Sequence, residues 1–254
     1  MSQRWPDRLW VVRHGESSGN VARDAAHAAK LARIDTDGRD VDVPLSPLGE
    51  EQSRALGRWF AQMPPEQRPD VVLVSPYRRA LQTAALIHSG GGVQADATDL
   101  LQDERLREKE FGILDRLTSH GIRQEFPEQA ELRRLLGKFY HRPPGGESWC
   151  DVILRLRSAL DTVSLHHSHA RLLIVAHQVV VLCLRYLLEN MTEEQILAID
   201  REGDVANCGV TEYEFEPDRG RDGALVMKRY NFVAPLLQQG APVTAEPDMP
   251  VGSR

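Results

Sequence analysis

The apolar positions of the chain fall into two periods. Leu9-Trp10-Val11-Val12 is an unbroken apolar run between charged flanks, and Asp70-Val71-Val72-Leu73-Val74 and Arg171-Leu172-Leu173-Ile174-Val175-Ala176 repeat the pattern. Short runs without polar alternation predict strands buried on both faces, as in a parallel sheet. Between them the period lengthens. Ser46-Pro47 supplies an N-cap and a first-turn proline, and Leu48, Ala55, Leu56, Trp59, Phe60 and Met63 follow at helical spacing. Ser148 with Asp151 has the form of a capping box before a stripe of Val152, Leu156, Leu160 and Val163. Thr192 with Gln195 opens a further short helix the same way. Residues 209–215 and 224–230 predict a terminal hairpin or edge strands. Strands alternating with helices predict an α/β domain with a mostly parallel sheet. No linker or repeat divides residues 1–233, expected to be one domain. Residues 234–254, rich in Pro, Gly and Gln, are expected to be a mobile tail.

Composition narrows the function classes. A chain of 254 residues, 41% hydrophobic and 27% charged, suits a globular protein with a sizeable core and excludes disordered and fibrous classes. The formal charge of -6 leaves no electrostatic footprint for nucleic acid, although a local arginine cluster still suits a small anion. Residues 1–7 lack the apolar run of a signal peptide, and residues 172–176 and 179–184 are too short to span a bilayer. Cys150, Cys183 and Cys208 form no CxxC pair, and their odd number suits a reducing compartment. The expectation is a cytoplasmic protein without nucleic-acid or membrane partners, its oligomeric state open and a homodimer among the options.

The chemistry gathers where strands end. In open α/β sheets, ligands bind outside the carboxyl ends of the strands. The three apolar runs lead into Arg13-His14-Gly15-Glu16-Ser17, Ser75-Pro76-Tyr77-Arg78-Arg79-Ala80 and His177-Gln178. Two imidazoles and at least two guanidiniums at one rim would repel each other unless an anion joined them. A phosphate dianion does so, each guanidinium fork binding two of its oxygens. Neighbouring positive charge favours a neutral, nucleophilic His14, and an imidazole nucleophile splits one hard displacement into two easier ones. Arginines on the equatorial oxygens stabilise the loose transition state.

These segments resemble the signature of the histidine phosphatase (phosphoglycerate mutase-like) superfamily, in its RHG-motif branch. The first motif is Arg13-His14-Gly15-Glu16-Ser17 with Asn20, and the second runs from Ser75 to Arg79-Ala80 with Thr83-Ala84. Leu106-Arg107-Glu108 before Phe111-Gly112, then Gly146-Glu147-Ser148, then Ile174-Val175-Ala176-His177 complete the order across residues 8–190. The resemblance implies a three-layer sandwich with helices flanking a mostly parallel sheet, and a phosphomonoester hydrolase acting on a small phosphorylated metabolite. It implies that His14 is the phosphorylated nucleophile and that Arg13, Arg79 and His177 bind the phosphoryl group. Glu108 would serve as acid, then base, and Asn20 would add a neutral hydrogen bond. Arg79 is chosen over Arg78 because the family's arginine directly precedes Ala or Thr; on a helix Arg78 points about 100° away. No metal or other cofactor is implied.

Competing readings attach to particular residues. Glu104 and Glu110 compete with Glu108 within a charge-dense run. Gly15-Glu16-Ser17-Ser18-Gly19 fits the elbow of a serine hydrolase, with Ser17 as nucleophile and His177 as base. A cysteine phosphatase needs Cys-x5-Arg, and Arg155 falls one residue short of that spacing from Cys150. His166, His167 and His169 suit a helix end better than a metal site. A non-catalytic phosphate-recognition module is the alternative from another class.

Among subfamilies, the His177-Gln178 pair is similar to fructose-2,6-bisphosphatase, which marks Gln178 as a substrate contact. Yet Gly145 and Leu182 stand where that enzyme carries Lys and Arg, and Phe111 stands where the mutases carry Tyr. Residues 21–34 form an insertion expected to lay a helix over the site mouth.

Overall fold

The computed structural model describes residues 3–94 and 100–245. Strands β1 (Arg8–Arg13), β2 (Val71–Val74), β3 (Leu100–Gln102), β4 (Arg171–Ala176), β5 (Val210–Glu216) and β6 (Ala224–Phe232) form one sheet in the order β3-β2-β4-β1-β5-β6. The first four run parallel, and β5 and β6 extend the sheet as an antiparallel hairpin. The helices are α1 (Ser18–Ala28), α2 (Pro47–Ala61), α3 (Arg78–Ser89), α4 (Ser119–Glu125), α5 (Pro127–Tyr140), α6 (Trp149–His166), α7 (Gln178–Leu188), α8 (Glu193–Glu202) and α9 (Ala234–Gln238).

Successive strand side chains point to opposite faces, and here both faces are covered. Leu9, Val11, Leu73, Leu172 and Ile174 pack beneath α6, α7 and α8, whereas Trp10, Val12, Val72, Val74, Leu173 and Val175 pack beneath α2 and α3. That two-sided burial is why these strands read as continuous apolar runs, and it gives the expected three layers. The helix starts form as their sequences indicate: Ser46 accepts from Gly49 N, and both capping boxes close. β3 was beyond the reach of periodicity, being three residues long with two of them exposed.

The tail is a correction. Instead of a mobile segment from Ala234, the chain forms α9, buries Leu236 completely against α2 and continues docked as far as Thr244. Asn207 N donates to Thr244 O at 2.8 Å. Two apolar anchors, Leu236 and Ala241, are enough to fix a segment whose Pro and Gly content reads as disorder. The remainder of the expected tail, residues 246–254, lies outside the described residues.

Strand register sets the site. Arg13 pairs with Ala176 and Val74 with Val175, so β1, β2 and β4 end level. His14, Ser75 and His177 therefore leave the sheet at one rim, with His14 N donating to Ala176 O and Ser75 N to Val175 O. Among the described residues, no helix is long and apolar enough to cross a membrane.

Candidate active site

His14 is fully buried, and its two ring nitrogens have different partners. Nδ1 lies 2.7 Å from Gly15 O; a carbonyl only accepts, so Nδ1 carries the proton. Nε2 accepts from Arg79 Nε at 3.2 Å. The neutral ring is thus in the tautomer whose lone pair sits on Nε2. Gly15 is required by close approach, since a Cβ there would lie 2.5 Å from Gly49 O.

Arg79 follows β2 in the first turn of α3 and is buried, whereas Arg78 beside it is exposed, as the helical offset predicts. The end of its guanidinium is gripped by Asp40: Nη1 donates to Oδ1 at 2.9 Å and to the main-chain O at 2.8 Å, and Nη2 donates to Oδ2 at 3.1 Å. The edge carrying Nε faces His14. Asp40 comes from the segment between α1 and α2, and nothing in its sequence context marked it. Arg13 is fully buried, with Nη1 on Val205 O at 2.5 Å.

His177 starts α7 and lies edge-on to His14, with ring centroids 5.1 Å apart. Ser75 Oγ lies 2.8 Å from its Nε2, and the Tyr77 ring packs 5.0 Å away. On its other side, Nδ1 is 4.0 Å from Glu108 Oε2. Glu108 is 1% exposed, whereas Glu104 and Glu110 are exposed. Of the three competing carboxylates, the structure brings only Glu108 to the histidines. Its loop is clamped by Glu147, which accepts from Arg107 Nη2, Arg155 Nε and Glu110 N. Burial works to raise the Glu147 carboxyl, but the hydrogen bonds and charge of Arg155, the Glu110 N–H and the charge of Arg107 together outweigh it and hold the group below its ordinary value.

A cleft opens above this cluster, lined by Asn20, Asp40, Arg79, Glu108 and Phe111 and rimmed by Ile34, Asp115 and Arg116. His14, Arg13 and His177 are fully buried, and Arg79, which lines the cleft, donates to His14 Nε2. Asn20 turns its Oδ1 to Ser17 N and Oγ in the capping box of α1. The insertion does form α1, ending at Ala28 rather than Ile34, and residues 34–43 complete the mouth. Gln178, expected as a substrate contact, is buried beside His177 with its Nε2 donating to Asp204 Oδ1 at 2.8 Å.

Ser17 is committed to capping α1, and the hydroxyl beside His177 is that of Ser75, so His177 is paired with a different serine from the one the hydrolase elbow requires. Arg155 is held by Glu147, and Cys150 packs partly buried against the core beneath α6. His166 ends α6 and His169 pairs with Asp7.

A family profile described as histidine phosphatase superfamily (branch 1) matches residues 9–225. A Hydrogenobacter thermophilus protein, provisionally named phosphoserine phosphatase 2, is 31% identical over 212 residues, covering 84% of this chain and 91% of that protein. The 6-phosphofructo-2-kinase/fructose-2,6-bisphosphatase of Aquarana catesbeiana is 29% identical over 191 residues. That match covers 74% of this chain and 34% of the larger protein. The mycobacterial glucosyl-3-phosphoglycerate phosphatase, solved with VO3, shares the fold at a TM-score of 0.66 and 24% identity, covering 89% of this chain and 100% of that one.

Proposed function

This chain belongs to the histidine phosphatase superfamily and is a phosphomonoester hydrolase, and we propose that it passes the phosphoryl group of its substrate through Nε2 of His14. The observation that carries the reading is the protonation pattern of that ring, with Nδ1–H committed to Gly15 O and the lone pair at Nε2 facing Arg79. In the first half-reaction Nε2 attacks phosphorus, the ester P–O bond breaks, and the carboxyl of Glu108 gives its proton to the leaving oxygen. Nδ1–H on Gly15 O then stabilises the positive charge of the phosphorylated ring. In the second half-reaction Glu108 takes a proton from water, the water oxygen attacks phosphorus, and the P–N bond breaks to release phosphate. Arg79, Arg13 and His177 neutralise the equatorial oxygens, with Asn20 adding a neutral hydrogen bond. Phosphorus reaches Nε2 when Arg79 Nε exchanges His14 for a phosphoryl oxygen.

The substrate is a small phosphate ester, and the mouth favours one with a single phosphate. Asp40 and Asp115 line it, and burial followed by the charge of Asp40 raises the Asp115 carboxyl above its ordinary value. Arg116 is already engaged by Thr36 O at 3.1 Å and lies 3.8 Å from Asp115. Leu182 is buried in the core and Gly145 lies in a positive-φ turn, so neither supplies charge for a second phosphate. A mutase or bisphosphatase role is therefore the secondary reading. We place the enzyme in the cytoplasm.

The nucleophile is tested by rapid quenching with a 32P-labelled ester. The expected result is acid-labile, base-stable label on the protein, lost together with turnover in His14→Ala. Label that survives in this variant excludes the assignment.

A further inference from the structure

Two buried amide side chains outside the phosphoryl chemistry hold the backbone on either side of Gly15. Glu16 N donates to Gln52 Oε1 at 2.9 Å, and this N–H belongs to the same peptide unit as Gly15 O, the acceptor for His14 Nδ1. On the other side, Asn207 Nδ2 donates to His14 O at 3.0 Å. Gln52 and Asn207 are both fully buried, where an amide needs partners at both ends. Their far ends converge on one residue of the C-terminal segment. Gln52 Nε2 donates to Thr244 Oγ1 at 2.9 Å and to Pro242 O at 3.0 Å. Thr244 Oγ1 in turn donates to Asn207 Oδ1 at 3.0 Å. One hydroxyl accepts from the first amide and donates to the second.

We propose that residues 241–245 are a positioning strap of the active site, in which Thr244, through Gln52 and Asn207, fixes the peptide that sets the protonation of His14. Glycine leaves the backbone at position 15 free to rotate. If the Gly15–Glu16 peptide turns, Gly15 O moves off Nδ1, and the ring is free to carry its proton on Nε2, where it has no lone pair to offer. The strap holds that peptide from outside, closing the hydrogen-bonded path from Thr244 to Gln52 to Glu16 N. The catalytic consequence rests on His14 being the nucleophile; the tautomer does not.

The test uses the full chain with Thr244→Val, which keeps the shape and deletes the hydroxyl, and Thr244→Ser, which keeps the hydroxyl. Thr244 is half-buried on the surface, so neither change threatens the core. Long-range 1H–15N NMR reads the His14 tautomer, and single-turnover quenching reads its phosphorylation. Thr244→Val is expected to populate the Nε2–H form and slow phosphorylation about tenfold, with KM unchanged, as the loss of one buried hydrogen bond would do. Thr244→Ser restores both, and truncation after Gly240 repeats the Val result. A wild-type tautomer and rate in Thr244→Val, or equal losses in Val and Ser, overturns the proposal. A tautomer shift in Thr244→Val while the wild type forms no phosphohistidine leaves the strap standing and removes the nucleophile.

Discussion

Among the three glutamates of segment 103–110, burial separates Glu108, the proposed acid, from Glu104 and Glu110. Glu108 is inside, with Oε1 accepting from Lys109 N at 2.7 Å and Oε2 toward His177, while Glu104 and Glu110 face solvent. A general acid matters most for a poor leaving group, because it must neutralise the developing alkoxide. Glu108→Gln retains size and a hydrogen bond but has no proton to give. Its single-turnover rate on alkyl phosphates should fall by about 10²–10⁴, and much less on p-nitrophenyl phosphate, whose leaving group is already stable. Equal losses on the two esters would assign Glu108 a structural part.

In the helices, caps convert sequence into pH dependence. Asp151 closes the box at the start of α6 and also receives the Arg142 guanidinium. The Arg142 hydrogen bonds, against the opposing pull of burial and with help from Ser148, hold its carboxyl down at about 2, from an ordinary 3.8. A carboxyl lowered by folding stabilises the fold above its unfolded value and loses that contribution as pH falls through the folded one. Thermal unfolding followed by circular dichroism should therefore show Tm declining between about pH 4 and pH 2. Asp151→Asn should cost about 1 kcal/mol at neutral pH, the usual worth of a helix cap, and flatten that decline. An unchanged slope in the variant would remove Asp151 as its cause.

Taken as one charge distribution, a negative protein carries an acidic cleft mouth in front of two buried arginines. The net charge is -6, Arg13 and Arg79 are buried with Asp40 holding the Arg79 guanidinium, and Asp40 and Asp115 line the cleft. On the proposed reading, such a field admits one phosphate at the arginines and is expected to repel a second anion at the far end of the substrate. Monophosphates of polyols or amines should show higher kcat/KM than bisphosphates or phosphorylated acids, and added salt should narrow the gap by screening. Asp115→Asn should narrow it as well, by about fivefold, which corresponds to roughly 1 kcal/mol for a partly exposed charge. A preference for bisphosphates in the unmodified enzyme would reverse this reading of the mouth.

The parallel core of the sheet was legible from the order of residues alone, because strands buried on both faces must be apolar throughout. So were the starts of α2, α6 and α8, because capping is a contact between residues three positions apart. That His14, Arg79 and His177 meet at one rim was legible too, because each follows a strand whose end could be read, whereas Glu108 was reached only through the resemblance. What holds these side chains emerged only from packing in three dimensions. Asp40 on Arg79, Ser75 on His177, and the Gln52, Asn207 and Thr244 network behind Gly15 join segments far apart in the chain, and a polar residue's burial leaves no periodic trace. For the same reason the segment after Ala234 read as mobile: whether apolar side chains find a groove depends on neighbours that local sequence does not name.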